Sequence, residues 1–192
     1  MKLVLATHNA HKVEELRRIL GPSLDGIELV GYDGPEPVED GETFEANALI
    51  KARAAAAHTG LPAIADDSGI SVAALDGAPG IHSARYAGTR VDADNVALLL
   101  QNLQGASHRD AKFVCAAAFV HGSIEHVVRG EWHGTVLDQP VGPNGFGYDP
   151  VFKPAGLSVS SAELRPDEKN AISHRALAFS EIMPVVREHL LS

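Results

Sequence analysis

A short apolar run, Leu61-Pro62-Ala63-Ile64-Ala65, opens directly onto Asp66-Asp67-Ser68-Gly69, and this juxtaposition restricts the fold more than any other feature of the chain. A run of strand length without a polar residue reads as a strand covered on both faces, as on the inside of an α/β sheet. Alternation along such a strand sends successive side chains to opposite faces. Asp66, Asp67, Ser68 and Gly69 are expected to form a turn at its carboxyl end, where open α/β sheets bind their ligands. Carboxylate oxygens there suit Mg²⁺, which takes one or two carboxylates plus phosphate oxygens in preference to a full protein cage. The alternative is that the two acids only cap the turn.

At 192 residues and 45% hydrophobic, the chain is long enough to bury a core as one domain or one compact two-lobed unit. Formal net charge is −9, from 16 basic and 25 acidic residues, with no lysine or arginine run. Such a surface repels a nucleic-acid backbone, whereas a small anion is accommodated if a few cations converge on it. Cys115 is the only cysteine, which excludes an intramolecular disulfide and a cysteine zinc site, and its apolar neighbours make it a packed thiol. The first residues do not resemble a leader peptide, and no apolar stretch approaches membrane-spanning length. The expectation is a cytoplasmic protein with no membrane or nucleic-acid partner.

Strands are expected at Leu3 to Ala6, Ile27 to Val30, Ser71 to Leu75, Phe113 to Val120 and Ile124 to Val136, the last two forming a hairpin over His121-Gly122-Ser123. Helical spacing of Val13, Leu16, Ile19 and Leu20 predicts a first helix ending at Gly21-Pro22. Thr43 is placed to cap a second helix ending near His58, and Asp92 a third whose apolar face is Val96, Leu99, Leu100 and Leu103. Ser173 begins a terminal helix to Leu190 that Pro184 should kink or interrupt. The hairpin among alternating strands and helices implies a mixed sheet.

Four further segments can carry chemistry. The loop Thr7-His8-Asn9-Ala10-His11-Lys12 enters a helix start, whose free N–H groups attract anions, and Lys12 adds a charge; Asn9 as a plain cap is the alternative. Lys51 lies on the second helix and Glu39 on the acidic loop before it, where each also reads as a solvated side chain. Phe146-Gly147-Tyr148-Asp149 sets two rings between glycines, which suits stacking on a base as well as core packing. In Lys169 to Arg175, a guanidinium in a first helical turn opposes the helix dipole, a conflict that an anionic or carbonyl-bearing ligand would relieve. The other histidines show no metal-ligand spacing, so no zinc is assigned.

In this order, Thr7-x-Asn9-x-x-Lys12, Asp66-Asp67-Ser68-Gly69, Gly77-Ala78-Pro79-Gly80-Ile81-x-Ser83-Ala84-Arg85-Tyr86, Phe146-Gly147-Tyr148-Asp149-Pro150 and Glu168-Lys169-Asn170-x-x-Ser173-His174-Arg175 resemble the inosine/xanthosine triphosphate pyrophosphatase family. The resemblance implies a mixed α/β fold over 1–192, with an elongated central sheet flanked by helices and two lobes with a deep substrate cleft between them, in a homodimer. It implies Mg²⁺-dependent hydrolysis of ITP, dITP and XTP to the monophosphate and pyrophosphate, which removes deaminated purines from the nucleotide pool. Mn²⁺ fits the same oxygen ligands.

Carried over by position, the loop of Thr7, His8, Asn9, Ala10, His11 and Lys12, together with Lys51, holds the triphosphate. Glu39 and Asp67 take the metal, and Asp67 also accepts the proton of the attacking water. Ser68 touches substrate, and Phe146, Gly147, Tyr148 and Asp149 line the base and sugar pocket. Lys169, His174 and Arg175 complete it by reading the purine 6-oxo group. His8 and His11 stand where family members often have smaller residues. A septum-formation-inhibitor-type pyrophosphatase would show Ser-x-Ser-Pro-Arg-Arg in the first loop, where this chain has Thr7-His8-Asn9. A nucleotide-binding module without hydrolysis is the other alternative, and Asp67, Glu39 and Lys51 together argue against it.

Overall fold

The computed structural model describes the backbone of residues 1–192 and every side chain except those of Ala10 and His11. The strands are β1 (Lys2–Leu5), β2 (Glu28–Gly31), β3 (Ala63–Val72), β4 (Asp110–His121), β5 (Ile124–Val136) and β6 (Phe152–Pro154). They form one sheet in the order β2-β1-β3-β4-β5-β6. β1 runs parallel to β2, with Lys2 opposite Glu28 and Leu5 opposite Gly31, and parallel to β3, with Leu5 opposite Ile64. β4 and β5 are neighbours joined through Gly122 and Ser123, a connection short enough only for antiparallel strands. β6 is antiparallel to β5, with Val136 opposite Phe152. The sheet is therefore mixed, as the hairpin implied, and helices flank it: α1 (Ala10–Leu20), α2 (Phe44–Thr59), α3 (Asp92–Asn102), α4 (Pro166–Ile172) and α5 (His174–Leu191).

The chain resolves into two compact units: Met1–Asp67 with Cys115–Gly130 and His174–Ser192, and Ser68–Val114 with Glu131–Ser173. In the first, Leu3, Leu5 and Ile64 pack with Leu16 and Leu20 of α1 and with Phe179, Ile182 and Val186 of α5. In the second, Ile70 and Val72 pack with Val96, Leu99 and Leu103 of α3 and with Phe113, Trp132 and Phe152. Cys115 lies fully buried in the first core, and burial pushes its thiol far above the ordinary range, so it is inert packing.

Local signals explain several helix ends. The Thr43 hydroxyl accepts from Ala46 N at 3.1 Å, and Gly60, at φ 68°, closes α2 with its N–H on Ala56 O. Asn9 caps α1: its Oδ1 accepts from Lys12 N at 3.2 Å and its carbonyl from Val13 N at 3.0 Å.

The structure departs from the sequence expectations at five places. Asp66, Asp67, Ser68 and Gly69 form no turn: β3 runs through them to Val72, and the expected strand at Ser71 to Leu75 is its end followed by a 3₁₀ turn at Ala73–Leu75. Gly69 is present for closeness, since a Cβ there would lie 2.5 Å from Gly80 O and collide with Ser83. Asp92 is the first residue of α3, whose cap position is Val91, and its Oδ2 instead accepts from Gly147 N at 2.7 Å. The separate helix α4 was not anticipated; Pro166 opens it and Glu168 Oε2 returns to Arg165 N at 2.8 Å. Finally, α5 passes through Pro184 uninterrupted, because Phe179, Ile182, Met183, Val186 and Leu190 anchor both halves in the first core.

Candidate active site

β3 delivers two adjacent carboxylates to two different sets of partners. Asp66 Oδ2 accepts from Lys12 Nζ at 3.2 Å and from Arg175 Nε at 3.3 Å, and an Arg175 Nη donates to Glu15. The Asp66 side chain is 1% exposed and that of Arg175 2%, so this is a buried network of two anions and two cations. Burial alone would raise the Asp66 carboxyl, yet Lys12, Arg175 and Lys51 outweigh it and hold the group well below the usual carboxylate range. Burial would likewise disfavour the Arg175 cation, but Asp66 and Glu15 more than offset it. Asp66 and Glu15 thus compensate, inside the protein, for the guanidinium placed against the helix dipole.

Asp67 meets a different cation. Its Oδ1 accepts from Lys51 Nζ at 3.0 Å, and the same ammonium donates to Glu39 Oε2 at 3.0 Å. Asp67 Oδ2 is buried and accepts no hydrogen bond. Burial raises the Asp67 carboxyl above its usual range, and Lys51 and Lys12 cancel only part of that. Burial would lower Lys51, but Asp67, Asp66 and Glu39 reverse it and strengthen its positive charge. The loop bearing Glu39 is tied to α2 at its end, where Gly41 N donates to Asn47 Oδ1 at 2.9 Å.

The Thr7 to Lys12 loop enters α1 beside these groups. Thr7 Oγ1 accepts from Asn9 N at 3.1 Å. His8 Nδ1 lies 3.2 Å from Glu36 Oε1, and its ring stacks on Tyr32 with centroids 5.4 Å apart. The side chains of Ala10 and His11 lie outside the described residues.

In the second unit, Ser68 sits half-buried in β3. Asp149 is buried and organises its loop: Oδ2 accepts from Phe146 N at 3.0 Å and Lys169 Nζ at 2.7 Å, while Oδ1 accepts from Ser161 Oγ at 2.8 Å. Lys169 Nζ stands 5.0 Å from the centre of the Phe146 ring. Tyr148 donates its hydroxyl to Ser83 O at 2.7 Å, and burial raises its phenol pKa. His174, which is buried, and Arg175 belong to the first unit, whereas Lys169 belongs to the second.

Thr7, Asn9, Lys12, Glu39, Lys51, Asp67, His174 and Arg175 are thus gathered in one unit, and Ser68, Phe146, Gly147, Tyr148, Asp149 and Lys169 in the other. Sequence reading missed Asp66 and Glu15 as partners of the site's cations. A signal existed for both: Asp66 had to face away from Asp67, and Glu15 lies one helical turn after Lys12. Asp92, which holds Gly147, left no sequence signal.

The donor set fits a hard divalent cation. Glu39 and Asp67 offer carboxylate oxygens, one of them buried without a hydrogen bond. Among the described residues no group of three or more His, Cys, Asp or Glu side chains forms a protein cage.

Fold and site define a mixed α/β protein with a carboxylate–ammonium centre on an inner strand, next to a helix start that can receive an anion. The chain belongs to the Ham1 family, whose model matches residues 3–185. It is 54% identical over 191 residues to a dITP/XTP pyrophosphatase of Leifsonia xyli subsp. xyli, covering 97% of this chain and 96% of that protein. The solved structure of a HAM1 protein from Coxiella burnetii superposes with a TM-score of 0.89 at 41% identity, covering 98% of this chain and 99% of that one. A nucleoside-triphosphatase described as a dITP/XTP pyrophosphatase, from Mycobacterium abscessus, matches with a TM-score of 0.78 at 46% identity, covering 97% and 100%.

Proposed function

We propose that this protein is a pyrophosphatase that hydrolyses the non-standard purine nucleoside triphosphates ITP, dITP and XTP to the monophosphate and pyrophosphate. The observation that carries the reading is the Glu39–Lys51–Asp67 bridge, with Nζ 3.0 Å from each carboxylate and the buried Asp67 Oδ2 accepting no hydrogen bond. The names of the 54% and 46% identical relatives support the same activity.

Phosphoryl transfer needs positioning and charge stabilisation more than covalent help. Lys12, Lys51, Thr7, Asn9 and the N–H groups at the start of α1 hold the triphosphate, with His8, Ala10 and His11 belonging to the same loop. Glu39 and Asp67 are the residues that would hold Mg²⁺ or Mn²⁺. When bound, the metal would neutralise charge on the phosphates and the departing pyrophosphate. Asp67, with its carboxyl raised by burial, accepts the proton of the attacking water. Asp66 positions Lys12 by accepting its ammonium, and Arg175 donates to the same carboxylate oxygen.

The Phe146 ring offers a stacking face for the purine, and Asp149 fixes both the Phe146 backbone and Lys169. Ser68, Gly147, Tyr148 and His174 complete the assigned contacts. A donor set built for the 6-oxo group is left unpaired by the adenine amino group, which discriminates by roughly 10⁴. Among the described residues no helix is long and apolar enough to cross a membrane. A homodimer acting in the cytoplasm belongs to the same proposal.

The test is product analysis with Mg²⁺ and ITP, XTP, dITP, ATP, GTP and dTTP. Monophosphate plus pyrophosphate, with ITP and XTP preferred over ATP and GTP, is the expected result. Release of orthophosphate, or equal turnover of every triphosphate, contradicts it.

A further inference from the structure

One ammonium occupies the position between the two carboxylates assigned to the metal. Lys51 Nζ is 3.0 Å from Glu39 Oε2 and 3.0 Å from Asp67 Oδ1, and the Lys51 side chain is only 14% exposed. Magnesium would approach the same oxygens to about 2.0–2.1 Å. An ammonium and a divalent cation bound to the same pair of oxygens repel each other. We propose that Lys51 is a placeholder cation, which holds the Glu39–Asp67 pair together in the free protein and yields it to the metal only when phosphates give its ammonium a new partner. This rests on the assignment of Glu39 and Asp67 to the metal.

Two consequences follow from the geometry. A metal arriving alone must break two ion pairs and leave a largely buried ammonium without either carboxylate, so the free protein binds divalent cations weakly. A metal arriving with a triphosphate breaks the same contacts, but the four-carbon stem of Lys51 lets its head swing from α2 to the phosphate oxygens. Metal and triphosphate therefore favour each other's binding, and the coupling is reciprocal. Lys51 engages Asp67 through Oδ1, while Oδ2 is buried and accepts no hydrogen bond. Lys12 is not equivalent, because it pairs with Asp66.

The test is Mn²⁺ binding to the purified full chain without nucleotide, read by the electron paramagnetic resonance signal of free Mn²⁺. The proteins compared are the unmodified chain, Lys51→Met, Lys51→Gln, Lys12→Met and Asp67→Asn, with thermal melting to confirm that each is folded. Lys51→Met and Lys51→Gln are expected to bind Mn²⁺ on the order of tenfold more tightly than the unmodified protein, Lys12→Met distinctly less so, and Asp67→Asn more weakly. If both Lys51 variants bind like the unmodified protein while Asp67→Asn loses binding, the metal assignment stands and the placeholder role is overturned. Equal tightening in Lys12→Met and Lys51→Met reduces the effect to general electrostatics and overturns it as well. Unchanged binding in Asp67→Asn removes the metal assignment itself, and the placeholder with it.

Discussion

Asp66 and Asp67 are neighbours in β3 and answer to different cations: Asp66 Oδ2 receives Lys12 and Arg175, and Asp67 Oδ1 receives Lys51. Strand alternation is the cause, since it turns consecutive side chains to opposite faces. The electrostatic outcomes diverge accordingly. Asp66, buried but flanked by cations, is held ionised, whereas burial prevails at Asp67 and raises it. One carboxylate is committed to two cations, and the other keeps one oxygen without a hydrogen bond.

Replacing Asp66 by alanine or asparagine should destabilise the fold. Removing one member of a buried ion pair costs about 3–5 kcal/mol, because the other charge is left buried without compensation, and Arg175 at 2% side-chain exposure is that charge. Urea unfolding of Asp66→Ala checks the size. The pH dependence has a definite sign. A carboxyl whose folded pKa is depressed contributes stability above its unfolded value of about 3.9 and loses it as pH falls from there through the folded value. The stability gap between the unmodified protein and Asp66→Asn should hold from neutral pH to about pH 5 and shrink below about pH 4. A gap that stays constant at pH 3 contradicts the lowered Asp66 pKa.

Lys12→Ala should weaken triphosphate binding by about tenfold to a hundredfold, the range of one charge-assisted hydrogen bond, and leave inosine binding nearly unchanged. Calorimetric titration of both ligands decides it. Equal weakening of triphosphate and nucleoside takes Lys12 out of the phosphate site.

Gly69→Ala tests the close approach that replaced the expected turn. Its Cβ would lie 2.5 Å from Gly80 O, and overpacking of this kind costs about 1–3 kcal/mol. Denaturant unfolding should show that loss. An unaffected midpoint means the segment at Gly80 and Ser83 gives way without cost.

The legible parts of the fold were those set by local chemistry. Thr43 and the hairpin at Gly122 each act within a few residues, and the structure uses them as the sequence suggested. Glycine at Gly69 was misleading because a turn and a close backbone approach call for the same residue, and only Gly80 and Ser83, distant in sequence, distinguish them. Asp92 resembled a cap for the same reason: its carboxylate serves Gly147, far along the chain, and not its own helix. The ion pairs of Arg175 were not legible because its partners Glu15 and Asp66 lie 160 and 109 residues away. Pairings across such separations leave no periodic trace in a single sequence.

The central claim is that Asp67 performs the chemistry while Lys12 and its neighbours hold the substrate. The most direct test is Asp67→Asn, assayed for ITP turnover with Mg²⁺ and, separately, for ITP binding. Loss of a general base predicts a fall in turnover of at least about 100-fold, with nucleotide affinity largely retained. Near-normal turnover in a folded Asp67→Asn protein would contradict the account and send the search for the base elsewhere on the chain.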